Sequence, residues 1–279
     1  MIIKENVDLK KYTTIKIGGI ARKMIIPETK MELIEFVERE NVKYYIGGGS
    51  NLLISDKVFD LVLNLRSFNT EIKSLGKGHY IVGASVRLQN LIMHINKDGY
   101  GGIEYLYSVP GLVGGAIVMN AGRGRSFQKS ISDYLISVEV LEGNRIQKYD
   151  KKDCAFAYRK SIFKNSDIIV LAAEFQFEPV DIRVSMKERD ERIQYCRTVQ
   201  DNSYPNMGSV FCECNFGIMR LFKIIQMGKG NVHFSRKTYN WLLNKGNGTF
   251  MEAEWTINKV KKVHDILNKK CELEVIVWK

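Results

Sequence analysis

The chain has 279 residues, is 45% hydrophobic, and carries 42 Lys and Arg against 31 Asp and Glu, a net charge of +11. That length holds two or three domains with real cores. No run of about 18 apolar residues occurs, which excludes a membrane-spanning helix. The opening Met1-Ile2-Ile3-Lys4-Glu5-Asn6 lacks the apolar core of a signal peptide, so a cytoplasmic protein is expected.

In chain order, Ala21 to Pro27 reads as a short strand. Thr29 to Asn41 places Met31, Leu33, Ile34 and Val37 at helical spacing behind an N-capping Thr29. Val42 to Ile46 and Leu61 to Leu65 read as strands and complete a small βαββ unit. A second region begins at the strand Tyr80 to Gly83. Leu88, Leu91, Ile92 and Ile95 then mark one face of a helix that stops at Asp98-Gly99. Leu135 to Leu141 and Arg145 to Tyr149 flank Glu142-Gly143-Asn144, a hairpin signal, and Ile168 to Phe177 is a further strand. Pro179 ends this region. A charged helix from Arg183 to Thr198, a polar loop from Gln200 to Tyr204, a helix from Ile218 to Met227 and an amphipathic helix carrying Ile257, Val260, Val263, Ile266 and Leu267 follow. Glu272 to Trp278 is a terminal strand.

Two glycine clusters stand out. Gly47-Gly48-Gly49-Ser50-Asn51-Leu52-Leu53 follows an apolar run, and five glycines fall between Ser108 and Gly124. Backbone without Cβ atoms approaches a ligand closely, and its N–H groups converge on an anion. Each cluster alone is equally a tight turn. Two of them are more than turns require, and together they fit a dinucleotide whose diphosphate is held from both sides. Neither is a Walker A loop or a G-x-G-x-x-G fingerprint.

The five cysteines (154, 196, 212, 214 and 271) are odd in number and irregularly spaced, and the four histidines are scattered. A disulfide framework and a zinc site are therefore not expected. The positive charge fits nucleic acid, an anionic small-molecule substrate or a plain lysine bias. Dispersed basic residues and the lack of an aromatic-basic repeat disfavour nucleic acid.

Tyr158-Arg159-Lys160-Ser161 and Gly208-Ser209-Val210-Phe211 are the remaining polar segments of note. No Gly-x-Ser-x-Gly elbow marks a hydrolase nucleophile, and Ser209 alone reads as a turn serine in a loop. Taken in order, Thr13 to Gly19, Gly47 to Leu53, Gly102-Ile103-Glu104, Val109-Pro110-Gly111, Gly114-Gly115-Ala116, Asn120-Ala121-Gly122, Tyr158-Arg159-x-Ser161, Gly208-Ser209-x-Phe211 and Glu272 to Val275 resemble the UDP-N-acetylenolpyruvoylglucosamine reductase family, in its shorter type.

The resemblance implies an α+β fold: an FAD-binding module of the vanillyl-alcohol oxidase type in two subdomains, and a smaller α/β substrate domain. The implied boundaries are 1–70 with the returning strand 270–279, then 71–179, then 180–269. It implies non-covalent FAD, NADPH as reductant and an anionic nucleotide-sugar substrate, in a monomer with no nucleic-acid, membrane or metal partner. FAD would lie on Gly47, Gly48, Gly49, Ser50, Asn51, Leu52, Pro110, Gly111, Gly114, Gly115, Asn120, Ala121 and Gly122. Arg159, Ser209 and Glu274 would be catalytic, and Tyr158 and Asn240 would bind substrate.

The chain departs from the family pattern in its third region. Cys212-Glu213-Cys214 stands where a basic residue and a proline are usual, Thr238 where a histidine is, and Asp201 where a proline is. Met119 and Arg123 depart within the second cluster. A relative with a different unsaturated or nucleotide-linked substrate, and a non-catalytic flavin-binding relative, stay open on the residues alone.

Overall fold

The computed structural model describes residues 1–279. Its helices are α1 (Lys30–Arg39), α2 (Leu88–Lys97), α3 (Val113–Val118), α4 (Ile182–Val199), α5 (Phe216–Ile224) and α6 (Phe250–Ile266). The chain divides into two units. One comprises Met1–Ile3, Ile25–Gly48 and Val62–Cys196, the other Lys4–Met24, Gly49–Leu61 and Arg197–Lys279.

The first unit is built on an antiparallel sheet ordered Arg145–Asp150, Leu135–Glu142, Ile169–Gln176, His79–Gly83, Ile72–Gly76. Ile169–Gln176 is central because Ile169 to Ala173 are all buried, as a strand covered on both faces requires. The hairpin expected around Gly143 forms, pairing Arg145 with Glu142. Helix α3 packs on Ile169–Gln176 and His79–Gly83. Helix α2 buries the four apolar residues its spacing marked, Leu88, Leu91, Ile92 and Ile95. Thr29 caps α1, its hydroxyl accepting from Glu32 N at 3.2 Å. Of the strand expected over 42–46, only Tyr45–Ile46 forms, parallel to the end of Val58–Asn64.

The second unit holds a four-stranded antiparallel sheet, Asn206–Ser209, Trp241–Asn244, Val232–Phe234, Gly228–Lys229. Its core joins Val210, Met219, Phe222, Phe234, Leu242 and Val260. Helix α6 starts in a capping box, with Thr249 and Glu252 each accepting the other's backbone N–H. His264 is fully buried; its Nδ1 donates to Val260 O and its Nε2 accepts from Asn215 N at 2.9 Å, which fixes the orientation of the ring. That bond ties α6 to the cap of α5.

The terminal strand divides in two. Glu272–Leu273 pairs antiparallel with Phe211–Glu213, and Ile276–Trp278 pairs parallel with Leu52–Ile54. Glu274 and Val275 turn the chain from one partner to the other.

Candidate functional site

In the first unit the two glycine clusters come together. A Cβ added to Gly48 would stand 3.1 Å from the Gly111 Cα, and one added to Gly47 would stand 3.7 Å from Leu112 Cδ1. Arg66 fixes the first strand of this cradle, donating Nε to Gly47 O at 2.7 Å and Nη2 to Gly48 O at 3.2 Å. Gly111 has φ +153 and its carbonyl accepts from Leu88 N; Pro110 before it is exposed. Gly114 is buried, and its N–H bonds to Ala84 O at 2.9 Å. Gly115 is exposed, with open space where a Cβ would point.

After α3 the chain turns sharply. Asn120 has φ +42, is 5% exposed, and donates Nδ2 to Ala157 O at 3.0 Å. Its Oδ1 is buried with no protein partner, as is the Tyr105 hydroxyl. A buried amide oxygen without a donor is costly in a finished site. Ala121 closes the turn through its N–H to Ala116 O and its carbonyl to Ile131 N. Gly122 is obligatory, since a Cβ there would stand 2.2 Å from Lys129 O.

Tyr158 and Arg159 are the corner residues of a two-residue hairpin closed by reciprocal bonds between Ala157 and Lys160. Arg159 adopts φ +57, an uncommon conformation for a side-chain-bearing residue. Its Nη2 donates to Gly122 O at 2.9 Å, and its guanidinium carbon lies 5.1 Å from the Tyr158 ring centre. Ser161 anchors the hairpin to α3 through Val118 O at 2.7 Å. Arg159 and the Asn120–Gly122 turn therefore form one hydrogen-bonded piece, which sequence spacing did not show.

In the second unit Ser209, Glu274, Asn51 and Asn240 assemble around Val210. Ser209 ends the strand Asn206–Ser209, opposite Trp241. This corrects the expected loop: Gly208, at φ +73, supplies the irregularity that lets pairing continue to Ser209. Val210 O accepts from Glu274 N at 2.9 Å, and Glu274 O accepts from Asn51 Nδ2 at 3.1 Å. Asn51 O in turn accepts from Ile276 N, and Leu52 pairs with Ile276. Gly49 has φ +69 and accepts from Thr14 N, whose hydroxyl reaches Ser50 O.

Asn240 is 5% exposed and held at φ +61. Its Oδ1 accepts from Phe211 N at 3.2 Å, its Nδ2 donates to Phe211 O at 2.7 Å, and its carbonyl accepts from Val210 N at 3.0 Å. Both ends of the amide are thus engaged in holding the Ser209–Phe211 backbone.

Two departures from the family pattern prove to be coupled. Asp201 N donates to Thr238 Oγ1 at 2.6 Å, a bond that a proline at 201 has no N–H to make. Ser203 and Ser235 hydroxyls donate to the Asp201 carboxylate. Burial pushes that carboxyl up, and these hydroxyl bonds more than offset it, leaving it below its usual range.

None of the five cysteines is in a disulfide. Cys154 and Cys196 are buried, and Cys212, Cys214 and Cys271 are partly so. Burial pushes the Cys271 thiol up to about 12, which makes it a poor nucleophile.

Comparison with known proteins places these pieces. A family model described as an FAD binding domain matches residues 22–144, a span that contains both glycine clusters. The UDP-N-acetylenolpyruvoylglucosamine reductase of Fusobacterium nucleatum is 32% identical over 99% of both chains. That of Carboxydothermus hydrogenoformans is 32% identical over 94% of this chain and 88% of its own. The crystal structure of the Thermus caldophilus reductase superposes over all of both chains with a TM-score of 0.83 at 26% identity. The α+β FAD-binding architecture expected from the sequence is the one found, and FAD is its cofactor. No helix is long and apolar enough to cross a membrane. With its glycine clusters converging within the span matched by an FAD binding domain and its likeness to the curated relatives running from end to end, the chain belongs to the UDP-N-acetylenolpyruvoylglucosamine reductase family of FAD-containing oxidoreductases.

Proposed function

We propose that this chain reduces UDP-N-acetylglucosamine enolpyruvate to UDP-N-acetylmuramate with NADPH, as a monomer in the cytoplasm. The observation that carries the reading is the bond from Glu274 N to the carbonyl of Val210, the residue after Ser209, in a chain whose glycine clusters converge at Gly48 and Gly111. The expected division into 1–70 with 270–279, 71–179 and 180–269 is kept, with the last as the substrate domain.

The residues present fit FAD. Gly115 has open space where a Cβ would stand, Gly48 lies against Gly111 with no side chain between them, and the buried Asn120 Oδ1 and Tyr105 hydroxyl lack protein partners. Gly49, Ser50, Asn51, Leu52, Pro110, Gly114, Ala121 and Gly122 complete the proposed binding set. No histidine or cysteine lies in either cluster, so the flavin is held without a covalent bond. Bound on these residues, FAD would supply hydride-transfer chemistry between NADPH and the enolpyruvyl ether.

The chain's own residues handle the charge and proton that result. Negative charge develops on C2 and the adjoining carboxylate, and a fixed cation stabilises it. Arg159 is assigned this role, since its bond to Gly122 O holds the guanidinium in place before substrate arrives. Ser209 is the proton donor to C2: a hydroxyl is a weak acid, but the carbanionic centre is a strong base. Glu274 assists as the neighbouring carboxylate. Tyr158 binds substrate, and Asn240 serves it by holding the Ser209 strand.

A second reading is favoured by one observation. Glu213 and two cysteines stand where the family pattern carries a cation, an unhelpful charge for a diphosphate. A related enol ether or other unsaturated acceptor is then the substrate. Anaerobic mixing of the reduced enzyme with UDP-N-acetylglucosamine enolpyruvate separates the two: rapid flavin reoxidation is expected, and its absence with an otherwise reducible flavin selects the second.

A further inference from the structure

Helix α5 is apolar on both sides. Ile218, Met219 and Phe222 are buried in the second unit's core, yet Phe216, Leu221, Ile224 and Ile225 are 65%, 54%, 64% and 53% exposed. At helical spacing Phe216, Leu221 and Ile224 lie on the arc opposite the buried set, with Arg220 among them and Lys223 at its border, and the exposed Ile225 follows as the C-cap. A contiguous exposed patch of large apolar side chains marks a contact surface. The helix is already formed and fixed: Asn215 Oδ1 caps it through Ile218 N, and Asn215 N is held by His264.

The chain around the patch is mostly basic, with Glu213 just before the helix and the Asp201 carboxylate bonded to Ser235 as acidic neighbours. From Cys214 to Met251 no aspartate or glutamate occurs, while Arg220, Lys223, Lys229, Arg236, Lys237 and Lys245 do. The Phe216 ring packs on Tyr239 at 5.3 Å, which brings the Arg236–Lys237 turn beside the patch. A second copy docking by two-fold symmetry would set Arg220 and Lys223 against their own kind, an unfavourable match. An anionic bilayer satisfies both halves of the surface at once. Apolar side chains enter the boundary between headgroups and acyl chains, and cations meet lipid phosphates.

We propose that α5 docks this protein on an anionic lipid surface, lying in the plane of the interface with Phe216, Leu221, Ile224 and Ile225 inserted and Arg220 and Lys223 on the headgroups. A helix about 13 Å long cannot span a bilayer and suits only this in-plane arrangement. The inference is independent of the substrate assignment.

The test is co-sedimentation of the flavin-loaded protein with vesicles of phosphatidylcholine alone or mixed with phosphatidylglycerol. Binding to the mixed vesicles only, weakened by added salt, is expected. Leu221→Asp with Ile224→Asp should abolish it. Arg220→Gln with Lys223→Gln should lower the partition coefficient by about tenfold or more. Flavin content and flavin reduction by NADPH in solution should stay at wild-type levels in both. No binding, equal binding to the two vesicle types, or binding retained by both variants overturns the proposal. So does self-association in sedimentation equilibrium that Ile224→Asp abolishes, which would assign the patch to a second copy.

Discussion

The glycine cradle and the serine strand solve one problem, fixing the backbone of an irregular segment, by opposite means. In the first unit side chains are removed. Gly48 and Gly111 come so close that a single Cβ would touch, and Arg66 grips the bare carbonyls from behind. In the second unit side chains are added. The Asn240 amide spans Phe211 N and O, and the Asn51 amide holds Glu274.

The largest effect tests the chemistry the serine strand supports. Ser209→Ala should leave flavin reduction by NADPH near wild type and slow reoxidation by the enolpyruvyl substrate by about 10²–10⁴, the range for a positioned proton donor. Stopped-flow absorbance at the flavin band follows both phases. Unchanged reoxidation with the same product would remove Ser209 from the mechanism while leaving the comparison of the two regions intact.

Asn240→Leu tests the added side chain itself. It leaves the Phe211 N–H and carbonyl unpaired in a buried place and puts a bulky residue at φ +61, so unfolding should become easier by about 2–4 kcal/mol. Asn240→Gly keeps the backbone conformation and loses only the amide. It should recover part of the loss in urea denaturation, and an equal cost for both would show that the amide rather than strain matters.

Glu174 offers a stability probe outside both regions, on the first unit's sheet. Bonds from Lys148, then Ser137, then His79 hold its carboxyl at about 2, against an ordinary carboxylate near 4.5. A depressed folded value means that the stabilisation is present above the unfolded value and lost as pH falls through the folded one. Stability should therefore decline from about pH 5 towards pH 2, and Glu174→Gln should lessen that decline by up to about 3 kcal/mol. An identical acid profile in the variant would contradict the assignment.

The smallest effect sharpens the cradle. Gly115 sits inside α3 with open space beside it. Gly115→Ala should raise the stability of the flavin-free protein by about 0.5–1 kcal/mol, because alanine favours helix, while weakening FAD binding. Fluorescence titration with FAD checks the second half. Stronger stability with unchanged affinity would place Gly115 outside the cradle.

What was legible in the sequence follows the same division. Missing side chains leave a mark, so both glycine clusters and the buried faces of α2 and the 135–150 hairpin could be read directly. Short strands held by distant amides leave almost none. Val232–Phe234 and Trp241–Asn244 are too brief for a period of two, and the bend at Glu274 that splits the terminal strand depends on partners more than 60 residues apart in sequence from one another. The mutual bond of Asp201 and Thr238 was invisible for the same reason: each looked like a separate loss, and only their contact shows one replacing the other's requirement.

The parallel pairing of Ile276–Trp278 with Leu52–Ile54 also sets a timetable. Asn51 waits for Glu274, 223 residues later, and Ile15 O waits for Asn244, 229 residues later. The sheet of the first unit uses only residues 72–176 and is whole while the ribosome is still adding the rest. The second unit has to close the longest loops once residues 244–278 have been made, a slow step by its contact order. Newly made chains should therefore pass through a state in which the first unit is folded and the Ser50–Asn51 segment still lacks its strand.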